Sequence, residues 1–201
     1  MNPASAIVSV ATIADALVAT AWIGLVADTV RVARRERGSR MRADAERPPR
    51  VARLAVLALL LAGAALLELR GGGRLGFHPV AAGAGVALAW TGVALHGRAR
   101  RALGVRWSSA VGVPPGHEVV THGPYAIVRH PLYLGILLLA AGTVLVHPSA
   151  ATLCVTGGLS AGMALKIPAE ERALRAACGD AWMRYAADVP ALVPRLSRGS
   201  R

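Results

Sequence analysis

The chain has 201 residues, 54% of them hydrophobic but only 4% aromatic, with a formal net charge of +12. Such apolar content is Ala, Val and Leu in long runs, the mark of membrane spans rather than scattered core positions. The charge would suggest nucleic acid in a soluble protein, but the basic stretch at 34–50 has no interleaved aromatics for bases to stack on, and nucleic acid is not an expected partner.

Five spans are expected, at about 4–27, 51–69, 79–97, 131–147 and 149–167, each near the roughly 20 residues that cross a bilayer. The fold class is therefore all-α: a polytopic membrane protein with about five transmembrane helices and a C-terminal amphipathic cytoplasmic helix. Residues 1–97 form a three-span region; residues 98–201 hold a cytoplasmic loop, a helical hairpin at 131–167 and the C-terminal helix. Lys and Arg number nine in 31–53, two in 70–74, five from 98 to 129 and seven from 166 onward. Alternate connections thus carry 21 cations against 2. The positive-inside rule then puts the N-terminus outside and the C-terminus in the cytoplasm; the Ala-, Arg- and Gly-heavy usage reads as that of a GC-rich genome, so the expected membrane is a bacterial inner membrane. No basic n-region precedes the first apolar run, so no signal peptide is expected, and the final Gly-Ser-Arg is no prenylation box.

In the first span, Asp15 reads either as a carboxyl that orders helix packing or as a functional group. Asp28, near Arg31, reads as an interfacial ion pair. Residues 34–50, RRERGSRMRADAERPPR, mix both charge signs and read as a solvated loop that touches anionic headgroups. Gly83, Gly85 and Gly92 in the third span offer small surfaces for close helix contact. Gly71-Gly72-Gly73 is an outer turn, since no Lys-Ser/Thr follows as in a phosphate loop. His96 reaches either a site or, the preferred reading, the interface. Arg98, Arg100, Arg101 and Arg106 face anionic lipid or substrate, Trp107 anchors at the interface, and Pro114-Pro115-Gly116 breaks the stretch. Cys154 and Cys178 make neither a metal motif nor an expected disulfide, and no metal site is expected.

The chain is organised around 117–148, where a polar stretch rich in His, Gly and Pro runs directly into an apolar helix. Pro131 suits the first position of that helix, where its absent N–H costs nothing. Arg129, His130, Tyr125 and Tyr133 collect at its entry. The hairpin should turn at His147-Pro148-Ser149; His130 lies 18 residues before Pro148 and Lys166 lies 18 after it. Antiparallel helices keep equal offsets level, and Glu170 is about 6 Å further along at 1.5 Å per residue. Arg129 and His130 should therefore meet Glu170 and Glu171. Beyond Pro168, Leu174, Cys178, Ala181, Trp182 and Tyr185 recur at helical spacing, expected to form an amphipathic helix ended by Pro190 and Pro194.

GPYAIVRHPLYLG at 123–135 resembles the signature of the isoprenylcysteine carboxyl methyltransferase family, integral-membrane enzymes that use S-adenosylmethionine. LGVRWS at 103–108, EVVTHG at 118–123, IPAEER at 167–172 and VPALVPRL at 189–196 are similar to its other blocks, so the resemblance covers roughly 98–196. Cys178-Gly179 stands where the family more often has Phe-Gly, and Trp182 where Tyr is usual.

The resemblance implies S-adenosyl-L-methionine as cofactor, held by His122, Gly123, Pro124, Tyr125, His130, Tyr133, Gly135, Glu170 and Glu171, with Arg129 and Glu171 as catalytic residues. The residue types suit the donor. Carboxylates such as Glu170 or Glu171 match an ammonium or ribose hydroxyls, and Arg129 and His130 match a carboxylate. Tyr125 and Tyr133 can flank adenine, while Gly123 and Gly135 permit close approach of a ligand or another helix. Each has a plainer reading: Glu170-Glu171 after Pro168 complements a helix dipole, and Arg129-His130 and Tyr133 belong to an interface. The implied acceptor is lipophilic, a prenylated cysteine carboxylate or a small carboxylate, thiol or amine arriving from the bilayer, with membrane lipids as the other partners. An NADPH-dependent membrane reductase and a non-catalytic transporter or scaffold stand as alternatives.

Overall fold

The computed structural model describes residues 3–38, 74–104 and 119–194. The expected second span, residues 39–50 of the basic loop, Gly71-Gly72-Gly73, Arg106, Trp107, Pro114-Pro115-Gly116 and the end of the tail lie outside them. Four α-helices are described: α1 Pro3–Gly38, α2 Pro79–Leu103, α3 Pro131–Val146 and α4 Ala150–Asp188, with a short 3-10 helix at Gly123–Ala126. The architecture is all-helical and membrane-like. Segments Ser5–Arg31, Pro79–Leu103 and Ala150–Asp188 are long and apolar enough to cross a bilayer, while Pro131–Val146 is apolar but shorter.

The helix boundaries follow from local chemistry. Pro79 and Pro131 open α2 and α3 as first-turn prolines. Ser149 caps α4: its hydroxyl accepts from the Thr152 N–H at 3.2 Å, and the Thr152 hydroxyl accepts from the Ser149 N–H at 3.0 Å. This capping box fixes the α3–α4 turn at His147-Pro148-Ser149, where the prolines placed it.

Glycine sets how closely α2 and α3 pack. Gly85 faces Gly142, and Gly92 faces Gly135, one pair two turns along from the other on antiparallel helices. A Cβ on Gly85 would lie 2.7 Å from the Gly142 carbonyl oxygen, and one on Gly135 would lie 2.7 Å from that of Gly92. Only glycine lets the two backbones meet, and van der Waals contact of this kind drives helix association in lipid. Gly83, expected to join this surface, has open space beside it. Along α1, Ala14, Val18, Ala21 and Leu25 form one stripe at helical spacing and bury against Ala82, Ala89, Leu139 and Val146.

Polar contacts pin both ends of this three-helix core. Near the α3–α4 turn, Arg74 donates to Asp15 at 2.6 Å and to the Val146 carbonyl at 3.0 Å, while His147 Nδ1 lies 3.4 Å from the same carboxylate. At the opposite end, Arg100 donates to the Asp28 carbonyl at 3.1 Å and pairs with its carboxylate at 3.3 Å. Asp28 thus pairs across helices with Arg100, where the sequence suggested nearby Arg31. Between them, the Trp22 indole N–H donates to Thr143 Oγ1 at 2.9 Å. His96 is buried against α3, with Nδ1 at 3.2 Å from the Leu132 carbonyl, and does not reach an interface. Its backbone already approaches Gly135, so its ring has nowhere to go but into the helix seam.

The largest departure from expectation is α4. The helix runs through Pro168 from its apolar half into the C-terminal half, where the spacing suggested a separate surface helix. Its break comes instead at Gly179, with φ 52° and ψ −127°. That left-handed conformation is open to glycine and rare for other residues. Beyond it, Trp182 and Tyr185 of the expected stripe are buried, while Ala181 is exposed.

Candidate active site

The site lies where α3 begins and α4 passes from its apolar half to its polar half. The chain enters through the 3-10 helix, which Gly123 can start because its φ is 62° and which Pro124 stiffens. His122 and Gly123 are exposed at this entry; the His122 carbonyl accepts from the Tyr125 N–H at 3.3 Å. Tyr125 is buried against Ala99 and Val120. Arg129 and His130 follow and precede Pro131.

Glu171 is the meeting point. Its Oε1 accepts from Arg129 Nε at 3.0 Å and Arg129 Nη2 at 2.9 Å, and lies 3.0 Å from His130 Nε2. A carboxylate can only accept, so His130 Nε2 carries the hydrogen here. Burial pushes the Glu171 carboxyl up, but the hydrogen bonds and charges of His130 and Arg129 outweigh it and hold the group below its ordinary value. One residue earlier, Glu170 Oε2 accepts from the Tyr133 hydroxyl at 2.6 Å. The Tyr133 ring stacks with His130, centroids 5.7 Å apart, and the Lys166 ammonium lies 5.2 Å from the Tyr133 centroid. The level offsets about Pro148 thus brought Arg129, His130, Tyr133, Glu170 and Glu171 into one cluster.

Gly135 stands apart. It is buried against Gly92 and the His96 backbone, so the close approach it permits is that of another helix.

Arg129 does more than pair with a carboxylate. Its Nη1 donates to the Ala186 carbonyl at 2.8 Å and the Val189 carbonyl at 2.6 Å. The N–H groups of Arg129 and His130 donate to the carbonyls of Pro190 and Ala191 at 2.8 and 3.0 Å. Tyr185 donates its hydroxyl to the Tyr125 carbonyl at 2.7 Å, and burial pushes that phenol up to about 12, so it stays a donor at neutral pH. The arm beyond Gly179 is therefore folded onto the segment that carries the site. Sequence reasoning missed this docking; the pair Pro190 and Pro194, which forbids helix there, was the available signal that the chain straightens to lie against something.

Two carboxylate oxygens are left over: Glu171 Oε2 and Glu170 Oε1 accept no hydrogen bond among the described residues. They sit beside an aromatic pair at the end of an apolar hairpin, a donor set suited to a ligand with hydroxyls or an ammonium and a flat ring.

Residues 86–176 match the isoprenylcysteine carboxyl methyltransferase (ICMT) family. The matched stretch is a little under half of the chain. The ICMT segment opens at Val86 inside α2 and closes at Ala176 inside α4, so it holds three of the four glycines at the α2–α3 contact, the α3–α4 hairpin and both glutamates. Among similar proteins, the cobalt-zinc-cadmium resistance protein CzcN of Cupriavidus metallidurans is 42% identical over 40% of this chain and 38% of its own length. Protein-S-isoprenylcysteine O-methyltransferase B of Arabidopsis thaliana is 40% identical over 39% of this chain and 40% of its own. A probable protein-S-isoprenylcysteine O-methyltransferase of Oryza sativa is 37% identical over 39% of this chain and 41% of its own. The chain thus spans about two fifths of the length of these relatives, in the region of the ICMT segment.

Proposed function

We propose that this protein is a membrane-embedded methyltransferase that binds S-adenosyl-L-methionine at the cytoplasmic end of the α3–α4 hairpin. Its acceptor is a lipophilic carboxylate of the isoprenylcysteine kind, or a small thiol or amine reaching the site from the bilayer. The observation that carries this reading is the convergence of Glu170 and Glu171 with His130 and Tyr133, from two segments about 40 residues apart. The ICMT family match and the names of the plant relatives support the reaction class. The excess of cations on alternate connections supports the cytoplasmic face, and the Ala-, Arg- and Gly-heavy usage supports a bacterial inner membrane setting.

The residues fit the donor. Glu171 Oε2 and Glu170 Oε1 would take its ammonium or ribose hydroxyls, and Tyr133 would lie along its adenine, while Tyr125, packed against Ala99 and Val120, backs the site from inside. His122, Gly123 and Pro124 would form the rim, while Gly135 serves by keeping α3 close to α2. When bound, the donor supplies an electrophilic methyl group on a positive sulfonium. The protein's part is alignment, because an ionised carboxylate attacks without a general base. Glu171 catalyses by holding its place in that alignment. Arg129 fixes Glu171 and the C-terminal arm, which makes it a positioning residue.

Membranes containing the protein, given methyl-labelled donor and N-acetyl-S-farnesylcysteine, should yield a base-labile methyl ester. Label absent from that acid and from lipophilic thiol and amine acceptors alike would contradict the reading.

A further inference from the structure

We propose that Lys166 is the cation that receives the carboxylate of the methyl acceptor; the inference rests on the methyltransferase reading above. A carboxylate that is to be methylated must be held near the donor without being neutralised by a proton, and a fixed cation does this. Two other cations close to the site are committed. Arg129 spends its guanidinium on Glu171 and on the Ala186 and Val189 carbonyls. Arg100 is paired with Asp28.

Lys166 is differently placed. It lies one helical turn before Glu170 on α4, so the two share a face. Its ammonium sits 5.2 Å from the centroid of Tyr133, the residue whose hydroxyl holds Glu170. A ring face attracts a cation but does not neutralise it, so the charge stays available while the stem is steered toward the site. No carboxylate pairs with Lys166 among the described residues. Leu165 beside it, on the apolar half of α4, is strongly exposed. A lipophilic tail can lie along that surface while the head reaches Lys166. The ammonium thus marks where an apolar path meets the carboxylate-bearing cluster.

The plainer role for a lysine at the end of a span is to reach for headgroups. Binding of two probes to protein loaded with S-adenosylhomocysteine separates the roles: N-acetyl-S-farnesylcysteine and its neutral C-terminal carboxamide. The wild type should prefer the acid by roughly threefold to tenfold, the range of a partly exposed ion pair strengthened by a nearby ring. Lys166→Met should abolish the preference and leave affinity for the carboxamide and for S-adenosylhomocysteine unchanged; Lys166→Arg should retain it. Equal binding of the two probes by wild type would overturn the proposal, as would a preference that survives in Lys166→Met. Weakened S-adenosylhomocysteine binding in Lys166→Met would assign the lysine to the donor and overturn it too. Wild type that binds no S-adenosylhomocysteine would instead fail at the first titration, taking down the methyltransferase reading and this inference together.

Discussion

Gly92 on α2 and Gly135 on α3 meet backbone to backbone, each filling the space a side chain on the other would need. The contact holds α3 upright at its first turns, where Tyr133 reaches Glu170. A methyl group at Gly135 would lie 2.7 Å from the Gly92 carbonyl oxygen and 3.0 Å from the His96 backbone nitrogen, neither of which can swing away. Gly135→Ala should therefore destabilise the protein by about 1–3 kcal/mol, the usual range for overpacking. Gly24→Ala, where nothing lies within 4 Å, should be neutral or stabilising. Melting both variants in detergent checks this; equal melting temperatures would mean that the helices slide apart freely.

Arg129 should prove to be the fastener of the C-terminal arm. Removing its guanidinium frees the Ala186 and Val189 carbonyls and releases Glu171. Arg129→Met should expose the chain beyond Gly179, and trypsin should cut after Arg184 several-fold faster than in wild type. Tyr185→Phe, which loses one hydrogen bond of about 1 kcal/mol, should show a smaller change in the same direction. Unchanged cleavage in Arg129→Met would assign the docking to Trp182 and Tyr185 packing instead.

The same cluster fixes a pH response. Glu171 titrates below its ordinary value of 4.5 in the folded state, so its contribution to stability is present above that value and is lost as pH falls through the folded one. The gap in stability between wild type and Glu171→Gln should be constant near neutrality and close in acid below about pH 4.5. Melts of both proteins across that range measure it. A gap that opens on acidification would reverse the sign and contradict the ion-pair account.

Much of this site was legible in the residues alone. Pro131, the His147-Pro148-Ser149 turn and the equal offsets of His130 and Lys166 from Pro148 were enough to bring Glu171 to His130, because a short antiparallel hairpin has little freedom. The ends of α4 were not. A proline usually stops a helix, yet α4 continues through Pro168, and the interruption falls at Gly179, whose conformation no spacing rule reveals. His96 misled for a related reason. A titratable residue near a span end suggests an interface, but the glycine contact one turn away draws its backbone into the seam. Which of Gly83, Gly85 and Gly92 would touch a neighbour depended on the facing glycines of α3, a property of the pair of helices.

Asp15 is held by Arg74 and His147 near the α3–α4 turn, at the opposite end of the hairpin from Glu171. Asp15→Asn should lower the melting temperature modestly, since the carboxylate is partly exposed, and leave donor affinity within twofold of wild type. Thermal melts and donor titration together test this. Intact folding with lost donor binding would link the two ends of the hairpin in a way that the structure does not explain.

The central claim is that one donor molecule is gripped by residues from both α3 and α4. Titrating S-adenosylhomocysteine into purified wild type, His130→Ala and Glu171→Gln, with melts as the folding control, tests it most directly. Glu171→Gln weakens the charged grip on the donor and His130→Ala removes the hydrogen bond that holds Glu171 in place, each worth roughly 1.5–3 kcal/mol, so each should weaken binding about ten- to a hundredfold. The double variant should lose less than the sum, because both residues act on one ligand. Wild-type affinity in both well-folded single variants would contradict the account and leave the cluster a structural joint between helices.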